Sequence, residues 1–212
     1  MVIHNYSRAI EFCQKILDAT PPLERKAQTH HMLGGIYGEQ KHYKNAIIQF
    51  EQSLRAVPDQ EKVYFDLGLT YFHLREFIQA EQNFVQCLKL NPNFIQVYYY
   101  WGLIFIERNQ PDIALDYLSK VEQSQKEFPE LYFHKARAFT LLARLDDALK
   151  AYQEALPYYL GSPIVYLNMA NVYLLMDQPE KALPLLDKAK ALAPQLPQIV
   201  QSVQIATQAL AK

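Results

Sequence analysis

Ala46, Ala80, Ala114, Ala148 and Ala182 follow one another at a constant interval of 34 residues, and each is followed at fixed offsets by the same kinds of side chain. A period of that length is one supersecondary unit, too small to bury its apolar face alone, so it predicts stacked units in place of a single closed core. Such an array has no central chamber for catalysis, and its function is sought along an extended surface.

In the unit beginning near Glu61, Tyr64, Leu67, Gly68 and Tyr71 share one helical face, and Ala80, Phe84, Cys87 and Leu88 share another. Two amphipathic helices are predicted. Gly68 and Ala80 let their backbones approach, Tyr71 and Phe84 fill the space on either side, and Pro92 ends the second helix. The preceding unit repeats the frame with Leu33, Gly34, Tyr37, Ala46, Phe50 and Pro58, although His30 holds its leading aromatic place. Tyr98, Trp101, Gly102, Phe105, Ala114 and Leu118 repeat it again, as do Tyr166, Met169, Ala170, Tyr173, Ala182 and Leu186. The unit around Ala148 departs most, with Lys135 at an apolar place and Leu160 at the proline place. Lys135 is expected to lay its stem along the core and keep its ammonium in water. The unit before it carries Lys126 instead of proline, and Pro129 is expected to open the next helix.

Half the residues are apolar, which excludes a disordered chain, and a formal net charge of -1 leaves no basic surface for nucleic acid. Cys13 and Cys87 are far apart and lie in helical apolar patterns, so they read as buried thiols. No stretch has the apolar length of a signal peptide or membrane span. A cytoplasmic protein is expected, with the periplasm open if a signal sequence has been removed.

No nucleophile elbow or phosphate-cradling loop occurs, and Gly34-Gly35 falls inside a helical pattern. None of the six histidines is spaced with a second ligand type for zinc. Neither catalysis nor a metal nor any other cofactor is expected. Asp146 and Asp147 read as residues that favour a helix N-terminus.

The recurring residues resemble the tetratricopeptide repeat, whose pattern is Trp-x2-Leu-Gly-x2-Tyr, then Ala, Phe and Pro. Five repeats fit one frame, at 27–60, 61–94, 95–128, 129–162 and 163–196. The resemblance implies an all-α fold, a right-handed superhelical α-solenoid of antiparallel helix pairs. A capping helix is expected at 197–212, showing Gln198, Gln201, Gln204 and Gln208 to solvent. Residues 1–22 read as a half repeat with a second helix only, carried by Tyr6, Ala9, Cys13, Ile16 and Leu17. The next helix is expected to begin early, near Leu23.

In that family the second, fifth, ninth, twelfth and thirteenth places of a repeat, with its last two, line the inner groove. Carried over, the second repeat contributes Lys62, Phe65, Leu69, Phe72, His73 and Phe94. The third contributes Tyr99, Leu103, Ile106, Glu107 and Phe128, and the fourth Glu130, Phe133 and Arg137. Leu69 and Leu103 hold places that are often polar in peptide-binding members, and they join the rings into an apolar strip. The carboxylate clamp of chaperone adaptors is not matched: from the first repeat its places hold His31, Gly35, Asp66, Gln96 and Tyr100. Arg137 is the groove cation able to pair bidentately with a carboxylate.

The resemblance thus implies a non-enzymatic adaptor or assembly factor whose groove takes an apolar peptide or amphipathic helix of a partner protein. Two other readings fit the same sequence. The chain could form a homo-oligomeric scaffold by stacking its terminal repeats, or be the interaction module of a larger protein, similar arrays serving in bacterial pilus and secretion-system assembly.

Overall fold

A computed structural model describes residues 6–124 and 128–210, and among them every regular element is helical, twelve α-helices and one short 3-10 turn. His4 and Lys126 lie outside the described residues, as do the first five residues of the expected half repeat and the last two of the expected cap. The chain divides into two compact units, Met1–Tyr100 and Trp101–Lys212. The first holds α1 (Tyr6–Asp18), α2 (Leu23–Glu39), α3 (Tyr43–Ala56), α4 (Glu61–His73) and α5 (Phe77–Leu90). Helix α6 (Ile95–Glu107) crosses the boundary between them in sequence. The second then holds α7 (Pro111–Gln123), α8 (Leu131–Leu141), α9 (Leu145–Ala155), α10 (Pro163–Leu175), α11 (Pro179–Leu192) and α12 (Pro197–Leu210).

Short turns fold neighbouring helices into antiparallel pairs, α2 on α3 and α4 on α5 in unit one, α8 on α9 and α10 on α11 in unit two. Pairs then stack, α3 against α4 and α9 against α10. The alanines of the 34-residue series, Ala46, Ala80, Ala114, Ala148 and Ala182, are all 0% exposed. Opposite them the chain has almost no room. A Cβ on Gly34 would lie 2.4 Å from the Phe50 ring, on Gly68 2.6 Å from the Phe84 ring, and on Gly102 2.7 Å from Leu118. Glycine is needed there for close approach of the two helices. Ala136 and Ala170 take the same place in the later pairs and are also fully buried. Phe50, Phe84, Leu118, Tyr152 and Leu186 complete the layer. The rings one turn on, Phe105, Phe139 and Tyr173, are only half-buried, and Arg108, Arg144 and Lys181 lie over them at 5.8, 4.6 and 5.8 Å.

These rings sit at the corner where each first helix ends. The Tyr37, Tyr71, Phe105, Phe139 and Tyr173 carbonyls accept from His42, Glu76, Gln110, Arg144 and Gln178. The intervening Lys41, Arg75, Asn109, Ala143 and Asp177 have φ between 56° and 62°. This is the Schellman stop, repeated in five pairs without a glycine at its left-handed residue.

Two sequence expectations shift. Helix α8 begins at Leu131, not at Pro129, because a turn intervenes in which the Leu131 N–H donates to the Phe128 carbonyl at 2.9 Å. Lys135 does not keep its ammonium in water alone: it binds Glu122 at 2.9 Å and lies 5.6 Å above the Tyr132 ring. Pro157, which has no N–H to continue the ladder, turns the end of α9 into the 3-10 turn Leu156–Tyr158. Helix α2 starts at Leu23, and α12 buries Ile199, Ser202 and Ala206 while its glutamines face solvent. No helix among the described residues is long and apolar enough to cross a membrane.

Candidate functional site

The groove residues expected from the sequence fall in both units, and each part stands by itself. In unit one, α4 carries Lys62, Phe65, Leu69, Phe72 and His73 on successive turns. The helical period brings them to one face. Phe65 and Phe72 do not stand alone on that face. Phe65 packs 4.9 Å from Phe94 and 5.7 Å from Tyr100, and Phe72 meets Tyr100 edge-on at 5.3 Å. Tyr100, which the groove assignment omitted, thus ties the rings together. It holds the sixth place of its repeat, directly after the groove place of Tyr99, and only its neighbours in space reveal its part. Tyr99 is 8% exposed and serves the packing.

Leu69 is half-buried and borders a cavity of about 390 Å³ with Gly35, Gly38, Tyr43, Asp66 and His73. Gly35 and Gly38 open it from α2. Tyr43 stacks on His73 with centroids 5.7 Å apart and planes 13° from parallel. That cover desolvates the His73 imidazole, and with the charge of Lys41 holds its pKa below the usual value. His31 Nε2 donates to Asp66 Oδ2 at 2.6 Å, and His30 Nδ1 donates to Gln49 Oε1 at 2.8 Å. The adjacent histidines therefore have separate partners, and among the described residues no group of three or more His, Cys, Asp or Glu could hold a metal ion. Cys13 and Cys87 are buried free thiols. Burial first, then Glu61 and Asp66, pushes the Cys87 thiol up to about 12, so it does not supply a thiolate nucleophile.

In unit two, Leu103, Phe128, Phe133 and Arg137 are half-buried and Glu130 is exposed. Ile106 is 4% exposed and belongs to the interior. Arg137 Nη2 donates to Glu107 Oε1 at 3.1 Å, and its Nη1 lies 3.5 Å from His134 Nδ1. The guanidinium is thus already engaged within its unit. Burial, then Arg137, push His134 down to about 4 against a smaller opposing effect of Glu107. A neutral His134 is what lets Nδ1 accept from Arg137. Phe133 packs on Tyr152 at 5.9 Å and Tyr159 at 5.5 Å. Beside Arg137 lies a smaller cavity of about 230 Å³, reached also by Thr140, Leu141, Tyr152, Asn168 and Asn171.

Sequence models of one family, described as Tetratricopeptide repeat, match residues 27–60, 61–94, 99–163 and 164–196. Among curated proteins, the chain is 29% identical over 140 residues to BBSome complex member BBS4 of Mus musculus, covering 64% of this chain and 26% of that protein. It is 32% identical over 91 residues to the general transcriptional corepressor ssn6 of Schizosaccharomyces pombe, covering 42% and 8%. The chain thus spans about a quarter of the length of the BBS4 relatives it matches. Among solved structures, YrrB, described as a TPR protein with an unusual peptide-binding site, superposes with a TM-score of 0.65 at 19% identity over 99% of both chains. MamA of Desulfovibrio magneticus RS-1, from residue 41 onward, gives 0.71 at 17% identity over 81% of this chain and 97% of that one. At these identities the likeness is one of fold.

Proposed function

The chain belongs to the tetratricopeptide repeat family, and from that premise we propose that it is a non-enzymatic adaptor or assembly factor that holds an apolar or amphipathic segment of a partner protein. In general terms it is a protein-interaction module. The observation that carries the finer reading is the α4 face of unit one, where Leu69 lies between a ring cluster and an open cavity. Rings packed on one another form a stiff apolar platform, and a partner side chain buried on it gains about 1.5–3 kcal/mol. Phe65, Phe72 and Phe94 supply the platform, and Lys62 and His73 stand at its edges. In unit two, Leu103, Phe128 and Phe133 offer apolar surface, while Glu107, Glu130 and Arg137 set the polar ends that fix direction. BBS4 is by its name a member of a complex, and YrrB carries a peptide-binding site; both fit an adaptor.

The test is affinity purification from the native source with a photo-crosslinking residue beside Leu69, followed by mass spectrometry. A defined partner peptide should be crosslinked to wild type. Leu69→Glu should lose it, with thermal unfolding unchanged because the side chain is not part of the buried core. Equal crosslinking in both proteins overturns the reading for unit one, and Leu103→Glu asks the same of unit two.

A further inference from the structure

The cavity of about 390 Å³ in unit one is not explained by the packing of the helices around it. Gly34 is required by Phe50, but a Cβ built on Gly35 or Gly38 meets nothing within 4 Å. Both glycines sit inside α2, where glycine disfavours the helix. A Cβ would be accommodated at either position, so the two glycines leave open a space that the fold does not require. Its chemistry is mixed. Leu69 and the stacked Tyr43–His73 pair are apolar faces, whereas Glu39 and Asp66 are the carboxylates of the lining. His31 fixes Asp66 in place at 2.6 Å, and Glu39 accepts from Tyr6.

We propose that this cavity binds an arginine side chain of the partner segment, its guanidinium stacked on the Tyr43–His73 pair and hydrogen-bonded to Asp66, its methylenes on Leu69. Charge complementarity selects the occupant. An acidic group would meet Glu39 and Asp66, and a purely apolar one would strip water from both carboxylates without replacing their hydrogen bonds. A guanidinium is planar, stacks on rings and offers a fork to a carboxylate, whereas a lysine ammonium offers only a point charge. Lys41 is not part of the lining, although its charge reaches His73. The inference rests on the adaptor reading for its source of arginine.

The experiment is titration of the isotope-labelled full chain with N-acetyl-arginine amide, read by amide chemical shifts, with the lysine and norleucine amides as alternative probes. Saturable shifts confined to Gly35, Gly38, Asp66 and Leu69 are expected at millimolar arginine amide. They should weaken about tenfold with Asp66→Asn and with the lysine probe. Gly35→Leu should abolish them while leaving the helical signal intact, since nothing stands within 4 Å of its added Cβ. Equal shifts from norleucine or lysine amide, or shifts that survive Gly35→Leu, overturn the proposal. If no arginine shift is seen while Leu69→Glu still loses the crosslinked partner, this proposal alone fails. If arginine binds and Leu69→Glu keeps the partner, the adaptor reading fails and the cavity stands.

Discussion

Ala143 holds φ 56° at the corner between α8 and α9, a conformation in which a Cβ crowds the following carbonyl. Asn109 and Asp177 tolerate the same corner through short polar side chains, but alanine has no such relief. Ala143→Gly is therefore expected to stabilise the chain by about 1 kcal/mol, seen as a higher urea midpoint at unchanged slope. A lower midpoint would show that the corner carries no strain. His134 supplies a second test at this scale. With its pKa down to about 4 from the ordinary 6.5, the unfolded chain binds a proton between these values that the folded chain does not. Stability from this group is complete above pH 6.5 and is lost as pH falls toward 4. His134→Gln should flatten the fall in stability across that window, because glutamine can still accept from Arg137 and has no proton to take up. An unaltered slope would show that His134 protonates freely in the fold.

At the scale of the helix, Pro184 lies inside α11. It has no N–H for the carbonyl one turn back, and its ring crowds that carbonyl, so Pro184→Ala should stabilise the chain by about 1–3 kcal/mol in equilibrium unfolding. No change would mean that α11 has already relaxed around the ring. Helix pairing was legible in the sequence because it depends on single residues: Gly34, Gly68 and Gly102 have no room for a Cβ, and their facing alanines recur at a visible period. The corners were not legible. The usual mark of a left-handed stop is glycine, and Lys41, Arg75 and Ala143 stand there instead. The shortened end of α9 follows from Pro157, which stands three residues before Leu160 and so outside the repeat's own proline place. Of the groove, the family pattern names the places that face inward but not what each side chain meets there. Tyr99 and Ile106 are covered, Arg137 is engaged by Glu107, and Phe65 and Phe72 are joined by Tyr100. Such facts depend on neighbours a full repeat away in sequence.

At the scale of the whole molecule, a chain of helix pairs that bury their faces on adjacent pairs is quasi-one-dimensional in its energetics. Damage to one pair should stay with that pair and its neighbours, unlike damage to a single shared core. Gly68→Ala places a Cβ 2.6 Å from the Phe84 ring and 3.2 Å from the Ala80 carbonyl oxygen, an overpacking that costs about 1–3 kcal/mol. Backbone and buried ring must both give, since Phe84 is 0% exposed. Native-state hydrogen exchange measures where that cost appears. Amides of α4 and α5 are expected to exchange roughly ten- to a hundredfold faster than in wild type, with a smaller change in α3. Amides of α10 and α11, buried around Ala170, Ala182 and Leu186 in the other unit, should keep their wild-type protection. An equal loss in α10 and α11 would mean that the chain opens as one cooperative body, and the description of separable, stacked pairs would fail.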